Sequence, residues 1–275
     1  MKMKTLRVFA IMLVLITGIT ACKDEKKDAN KEISKDTETT KTVETKKVKI
    51  TLEKLEGSPA YADAVLAMDA PEDTKITTVG EVDFNFTVNN YNLGEQTTGP
   101  NTTLLANSGK GQHIHFILNN QPYSAHYTPS FKKEIPEGVH HLVAFLSRSF
   151  HESVKNENSV VVKKLEVGEN PQDTHGLDMS TPTLIYSRPK GKYTGKDTEN
   201  LLLDFFVLNT KLSETGHKVK ATINGEEFMI TEWAPHIIKG LPMGEVTIQL
   251  ELLDENGKLI PGPFNKVTRS VTLTN

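Results

Sequence analysis

The sequence predicts an all-β protein built from two tandem immunoglobulin-like β-sandwich domains. Three observations support this: short alternating runs, tight-turn sequences and an internal repeat. Val82–Val88, Lys218–Ile223 and Glu245–Leu250 alternate apolar and polar residues, which is the period of a half-buried strand. Asn224-Gly225 lies between two such runs and suits a hairpin turn that needs positive φ angles. Strands joined by tight turns are therefore expected throughout the folded part.

The internal repeat is found by laying the second half of the chain on the first. Three segments match in order, and the last two have nearly the same offset: Phe86–Leu93 with Phe205–Leu212, His113–Asn119 with Lys218–Asn224, and Gly138–Leu142 with Gly244–Ile248. The first copy has extra residues between Leu93 and His113, rich in Gly, Thr and Asn, which predict an inserted loop over Glu95–Gly111. One fold is therefore expected twice.

Two copies of this kind fit immunoglobulin-like sandwiches over residues 48–170 and 171–275. The polar, proline-containing stretch Gly168–Asp173 is where we place the boundary between them. A single-copy barrel is the alternative fold.

The amino terminus has the anatomy of a secretion signal. Lys2, Lys4 and Arg7 precede a short apolar stretch, and small residues come before Cys22, so residues 1–21 are predicted to be a signal peptide that is removed. The tetrad Ile19–Cys22 resembles the lipobox of bacterial lipoproteins, and this resemblance implies that Cys22, the only cysteine, carries the lipid anchor.

The segment after Cys22 predicts where the folded part is held. Lys23–Glu25 resembles the export tag of surface lipoproteins of the Bacteroidota type, and the alternative is that it is simply the start of a charged tether. Residues 22–47 are predicted to form a disordered linker, because so charged a segment buries too little apolar surface. We expect an outer-membrane protein anchored through its lipid, on the cell surface or facing the periplasm. The net charge of −3 argues against a nucleic-acid partner.

Histidines are concentrated in the first copy. Of the nine in the chain, six lie between positions 113 and 151, and the second copy has other residue types at the matching positions. The six are His113, His115, His126, His140, His141 and His151. The fold itself therefore does not require histidine there.

Strand alternation predicts which of these histidines share a face. Ile114 and Phe116 must face the core, so His113 and His115 lie together on the opposite face. His141, on the neighbouring strand, has the same outward parity. His140 points inward, as a buried hydrogen-bonding group or as a ligand at the rim, and His151 follows in a loop.

Imidazoles placed in this way predict a copper or zinc site. The candidate ligands are His113, His115, His140, His141 and His151, with Glu134, Glu137 and Glu152 as partners that orient them. The alternative is that these histidines only bind backbone groups and water.

The pattern Gly-x-His-x-His, followed by Gly-x-His on a later strand and a loop histidine, resembles a histidine-rich, immunoglobulin-like family of secreted bacterial proteins of unknown function. The resemblance covers about residues 80–167 and includes neither His141 nor His126. It implies a role for Gly111, His113, His115, Gly138, His140 and His151, and it implies no activity.

The sequence offers less support for other functions. Ser147, Ser149 and Ser153 lie near His151, but no nucleophile-elbow motif accompanies them, so an enzyme is not predicted. Trp233 and His126 are candidates for a platform that binds a carbohydrate or peptide. The main alternative is a structural or adhesive module whose outward face binds a protein through His113, His115, His141, Val143 and Phe145. The expected function is thus a tethered, non-enzymatic binding lipoprotein with a protein or small-molecule ligand.

Overall fold

The computed structural model describes residues 49–275, and the predicted signal peptide, Cys22, the tag Lys23–Glu25 and the predicted linker lie outside these residues. Seventeen strands are present in the described part. The first nine are β1 (Thr51–Lys54), β2 (Val65–Ala70), β3 (Lys75–Ile76), β4 (Gly80–Asn89), β5 (His113–Leu118), β6 (Ser124–His126), β7 (Ser130–Ile135), β8 (Gly138–Ser147) and β9 (Val160–Val167).

The other eight strands are β10 (Thr183–Arg188), β11 (Gly191–Thr194), β12 (Leu201–Leu208), β13 (Lys218–Ile223), β14 (Glu226–Ile230), β15 (His236–Lys239), β16 (Gly244–Leu253) and β17 (Lys266–Thr274). Helical structure in residues 49–275 is limited to α1 (Asn101–Leu104) and two 3-10 turns, Glu157–Ser159 and Gly195–Thr198. None of these helices is long and apolar enough to cross a membrane. The predicted all-β fold is confirmed.

The strand order shows that one sandwich is used twice. The first copy consists of two sheets, one with the strand order β2-β4-β7 and the other with the order β3-β9-β8-β5-β6. The second copy repeats this order position by position, with β10-β12-β15 facing β11-β17-β16-β13-β14. In both copies the short strand β3 or β11 runs parallel to the last strand, β9 or β17. The tandem immunoglobulin-like arrangement is confirmed, and a single barrel is excluded for the described residues.

Strand β1 lies in the second sandwich rather than the first. It pairs antiparallel with β15, from Thr51 opposite Lys239 to Lys54 opposite His236. The sequence-based range of 48–170 for the first domain is therefore wrong for these residues. The physical reason is that the open edge of β15 offers unpaired backbone groups, with which β1 pairs. The boundary near residue 170 stays a prediction, since the described residues form one compact unit.

Each sandwich has its own core, formed by alternate residues of facing strands. In the first copy, Phe84 and Phe86 on β4 pack with Phe116 on β5. In the second, Phe205 on β12 packs with Val219 and Ile223 on β13. Burial of one such side chain contributes roughly 1.5–3 kcal/mol. The period-2 pattern seen in the sequence therefore places Phe84, Phe86, Val219 and Ile223 correctly, whereas β12, which carries Phe205, is apolar almost throughout.

A third apolar cluster joins the two sandwiches. Val143 and Phe145, on the outward face of β8, pack against Ile185 on β10 and Phe206 on β12. The rings of Phe145 and Phe206 lie 4.4 Å apart between centroids. The prediction that this face is open to an outside protein is wrong, because the second half of the same chain covers it.

Candidate metal centre

Three histidines of the first copy meet at the start of β5, beside the third apolar cluster. His113 and His115 project from the same face of β5, as alternation predicts, and both are fully buried (0% exposed). His151 reaches them from the loop that follows β8. Their ligand nitrogens all lie within 4.8 Å of one another, a spacing that one metal ion can bridge.

The individual distances are close to those of a coordination shell. His113 Nε2 lies 2.9 Å from His115 Nε2 and 3.1 Å from His151 Nδ1. Four-coordinate zinc with Zn–N bonds of about 2.0–2.1 Å holds its ligand nitrogens about 3.3 Å apart. His113 Nε2 therefore lies near the ligand nitrogen of each of the other two histidines, and all three nitrogens lie within 4.8 Å of one another.

Hydrogen bonds on the far side of two rings set their orientation. The Gly111 carbonyl can only accept, so His113 donates its Nδ1–H to it over 2.8 Å. The neutral His113 ring then has its lone pair on Nε2, toward the other two histidines. His115 Nδ1 lies 3.3 Å from the Ser187 hydroxyl, which accepts Nδ1–H when Nε2 binds an ion. Such partners of the far nitrogen are typical of metal-binding histidines.

Gly111 is required by its surroundings. Its φ angle is +85°, and a Cβ atom there would lie 2.4 Å from the Gly94 carbonyl oxygen. The inserted loop Glu95–Gly111 thereby brings a carbonyl to the His113 ring.

The loop that carries His151 is held from two sides. In the inserted loop, Thr97 exchanges two hydrogen bonds with Ser149, at 3.1 and 3.0 Å. From the second sandwich, Asp204 accepts from the backbone N–H and hydroxyl of Ser153, at 3.1 and 3.0 Å. His151 itself has a left-handed backbone (φ 70°), which is uncommon outside glycine. Such strain persists where the surroundings fix it, often at functional sites.

Tyr123 completes the wall of the cluster. Its ring stacks on that of His115 at 3.5 Å between centroids, and its hydroxyl lies 3.2 Å from His151 Nδ1. Burial raises the pKa of Tyr123, so this hydroxyl is neutral at ordinary pH.

Sequence reasoning missed Tyr123, Ser187 and Asp204. One signal for the last two was present: Leu184–Tyr186 and Leu201–Leu203 are continuous apolar runs rather than alternating ones. Such runs indicate strands buried on both faces. They indicate that an outer face of the second sandwich is covered.

Burial and nearby cations keep the three rings neutral. Burial lowers the pKa of His113 to about 4. The pKa of His115 is lowered well below its usual value, first by burial and then by the other two histidines. The pKa of His151 falls through burial and then through the charge of Arg188. Neutral imidazoles are the form that binds metals, although Arg188 also repels an incoming cation.

His140 and His141 do not belong to this cluster, so their assignment as metal ligands is wrong. In the antiparallel pairing of β5 with β8, His113 lies opposite Ser147, whereas His140 and His141 lie beyond Leu142 at the far end. His140 Nε2 donates to the Pro136 carbonyl at 2.8 Å, and its Nδ1 accepts from Asn119 at 2.9 Å. His141 stacks on Phe264, 5.7 Å between centroids. Alternation along β8 predicts which face each histidine lies on. It does not predict which residue of β5 lies opposite, and that register decides the distance to His113.

The predicted carboxylate partners lie elsewhere as well. Glu152 is buried but pairs with Arg148 at 3.0 Å and accepts from the Ser58 hydroxyl. Glu134 and Glu137 make no hydrogen bond to these histidines. A backbone carbonyl and a serine hydroxyl take the place that the sequence assigned to carboxylates.

His126 and Trp233, the two candidates for a ligand-binding platform, pack against different residues. His126 stacks on Phe131 at 3.4 Å between centroids and bonds to Ser124 over 2.8 Å. Trp233 donates to the Phe205 carbonyl over 2.8 Å and packs edge-on against Phe206. It also lines a groove of about 440 Å³ between the sandwiches, with Val160 of the first copy and Leu208 of the second.

Fold and site together define a class: a tandem of immunoglobulin-like sandwiches with a buried three-histidine cluster where they meet. No protein-family model matches the chain, and no curated protein matches its sequence. The resemblance to a histidine-rich family therefore stays a prediction.

Solved structures give only distant likenesses. Fibronectin(III)-like modules of Clostridium thermocellum CbhA match with a TM-score of 0.27 and 13% identity over 76% of this chain and 94% of that one. The central fibronectin-III array of RIM-binding protein matches with 0.25 and 11%, over 79% and 71%. Bacteroides ovatus SGBP-B, in complex with a mixed-linkage heptasaccharide, matches with 0.23 and 8%, over 76% and 70%. These likenesses are too distant to support a statement about function.

Proposed function

We propose that this protein is a lipid-anchored, non-enzymatic binding protein that holds one copper or zinc ion between His113, His115 and His151. The observation that carries the proposal is the convergence of three imidazole nitrogens, two of them on rings oriented by Gly111 and Ser187. The lipobox-like tetrad Ile19–Cys22 supports anchoring through a lipid at the outer membrane, and the tag Lys23–Glu25 supports display on the cell surface.

The donor set narrows the choice of ion. Three neutral nitrogens suit zinc and copper, and Cu²⁺ binds such ligands more tightly than Zn²⁺ does. No carboxylate or thiolate joins the group among the described residues, so the full charge of the ion faces the cation Arg188. Cu⁺ meets half of the repulsion that a divalent ion meets, because its charge is half as large.

Titration of the metal-free chain with Zn²⁺, with Cu²⁺ and with Cu⁺ under reducing conditions tests the proposal. The chain should begin at residue 22 and carry Cys22→Ser, which removes the only thiol. We expect one ion per chain, and a loss of at least about 100-fold in affinity in the His113→Ala/His115→Ala variant.

The matched control is His175→Ala/His217→Ala, which removes two histidines outside the cluster and should bind as the parent does. Near-UV circular dichroism confirms that each variant is folded. The proposal is abandoned if the parent binds no ion, or if the cluster variant binds as tightly as the control variant.

The groove at Trp233 favours a second candidate function, the binding of a small ligand. Its volume of about 440 Å³ lies within the usual range for ligand sites, and polar residues such as Asn156, Asn209 and Lys211 join its apolar lining. Because Trp233 is the only tryptophan, its fluorescence reports binding directly. Titration with oligosaccharides and short peptides should change the emission, and an unchanged spectrum throughout would remove this candidate.

A further inference from the structure

A buried cation without a carboxylate partner lies at the end of β10. Arg188 is only 7% exposed. One of its terminal nitrogens, Nη1, donates to the Tyr193 hydroxyl over 2.8 Å, while its Nε–H has no partner among the described residues. A buried guanidinium normally has a carboxylate or other acceptor beside it, since an uncompensated buried charge is costly.

Two further cations surround the same place. Lys190 Nζ lies 4.0 Å from the centroid of the Tyr123 ring, and Arg188 Cζ lies 5.5 Å from it. Arg269 Cζ lies 5.5 Å from the ring of Tyr186. Burial and then repulsion from Arg188 and Arg269 lower the pKa of Lys190. The three positive charges therefore affect one another.

None of the three cations forms an ion pair within residues 49–275. The ion pairs of that part use other basic residues throughout, including the buried pairs Arg148–Glu152 and Lys155–Asp204. Elsewhere in the fold, then, buried cations have carboxylate partners. The exception at Arg188 calls for a negative charge from another source.

A small cavity lies beside these cations. Its volume is about 60 Å³, and its lining includes Tyr186, Ser187, Lys190 and Arg269. The Tyr186 hydroxyl is buried and has no hydrogen-bond partner among the described residues. Arg188 is flanked in sequence by Ser187 and Pro189, which both line the cavity.

We propose that this cavity binds one small inorganic anion, such as phosphate, through Lys190, Arg269 and the Tyr186 hydroxyl, with Arg188 supplying further positive charge. Arginine and lysine can only donate hydrogen bonds, and an anion accepts several at once and compensates the charge. The volume is too small for a large organic ligand. The site adjoins the histidine cluster, because Ser187 lines the cavity and also contacts His115, but the residues proposed to bind the anion are not the metal ligands.

Calorimetric titration of the metal-free chain from residue 22, carrying Cys22→Ser, with phosphate at constant ionic strength tests this site. The background salt is sodium gluconate in one series and sodium chloride in another, because gluconate is too large for the cavity whereas chloride is not. We expect one phosphate per chain in gluconate, and weaker phosphate binding in chloride through competition.

Lys190→Gln and Arg269→Gln should each weaken phosphate binding by about 10-fold or more. Lys192→Gln removes the same charge from an exposed position two residues further along, and it should bind as the parent does. This control distinguishes a specific site from the general attraction of phosphate to exposed positive charge. Absence of binding, or equal binding by Lys190→Gln and Lys192→Gln, would overturn the proposal. Phosphate binding should persist in His113→Ala/His115→Ala, which separates this site from the metal proposal.

Discussion

The hydroxyl of Ser187, in the second sandwich, lies 3.3 Å from Nδ1 of His115 in the first. This contact joins the two copies of the fold at the candidate metal centre. It means that the first copy supplies the ligands while the second sets the orientation of one of them. The centre therefore depends on both sandwiches.

Removal of this hydroxyl is the first prediction. Ser187→Ala should weaken metal binding by about 10- to 100-fold, because the His115 ring loses the partner that holds its Nδ1–H. Ser270→Ala, an exposed serine of the same sandwich, is the matched control and should bind metal as the parent does. Equal affinities in the two variants, measured by titration calorimetry, would show that Ser187 has no orienting role.

Gly111 provides the second prediction. Gly111→Ala should lower the free energy of unfolding by about 1–3 kcal/mol, since its backbone is left-handed and the new Cβ would meet the Gly94 carbonyl. Metal affinity should fall as well, because the Gly111 carbonyl orients His113. Gly109→Ala adds the same methyl group where nothing lies within 4 Å. Urea unfolding checks both variants, and similar losses from the two would contradict the prediction.

The third prediction concerns pH. The pKa of buried His113 is about 4 in the folded chain, against about 6.5 when unfolded. Below pH 6.5 the unfolded chain therefore binds a proton that the folded chain does not, and stability is lost as the pH falls toward 4. At pH 5 this histidine alone costs about 2 kcal/mol, and the lowered pKa values of His115 and His151 act in the same direction.

Urea unfolding of the metal-free chain at pH 7 and pH 5 measures this loss. His113→Gln should show a smaller loss between the two pH values than the parent. His217→Gln, which replaces a histidine outside the cluster, should keep the full loss. A parent chain that is equally stable at both pH values would rule out neutral buried histidines.

The fourth prediction concerns the apolar contact between the sandwiches. Phe145→Ala and Phe206→Ala should each lower the free energy of unfolding by about 3–5 kcal/mol, because both rings are fully buried. The double variant should lose less than the sum, since the rings contact each other at 4.4 Å. The control is the double variant Phe145→Ala/Phe228→Ala. Phe228 lies on β14, in the other sheet of the second sandwich, so the two losses of stability should add. Additive losses for Phe145 and Phe206 would show that the rings do not interact.

The sequence by itself determined the strands, the repeat and the faces of the histidines. Alternation fixes which residues of a strand share a face, so the pairing of His113 with His115 followed directly. The repeat predicted two similar sandwiches, and the strand orders of the two copies agree. These features are local, or are repeated locally, which is why a single sequence contains them.

Only the tertiary structure decided which histidines meet. His141 has the parity of His113, but the antiparallel register of β5 and β8 places it at the far end of the strand. His151 joins instead, because Asp204 and Thr97 fix its loop from opposite sides. Ser187 reaches His115 because the second sandwich covers the face that the first leaves apolar. Contacts between residues so far apart in the chain depend on how whole sheets pack, and no local pattern encodes that packing.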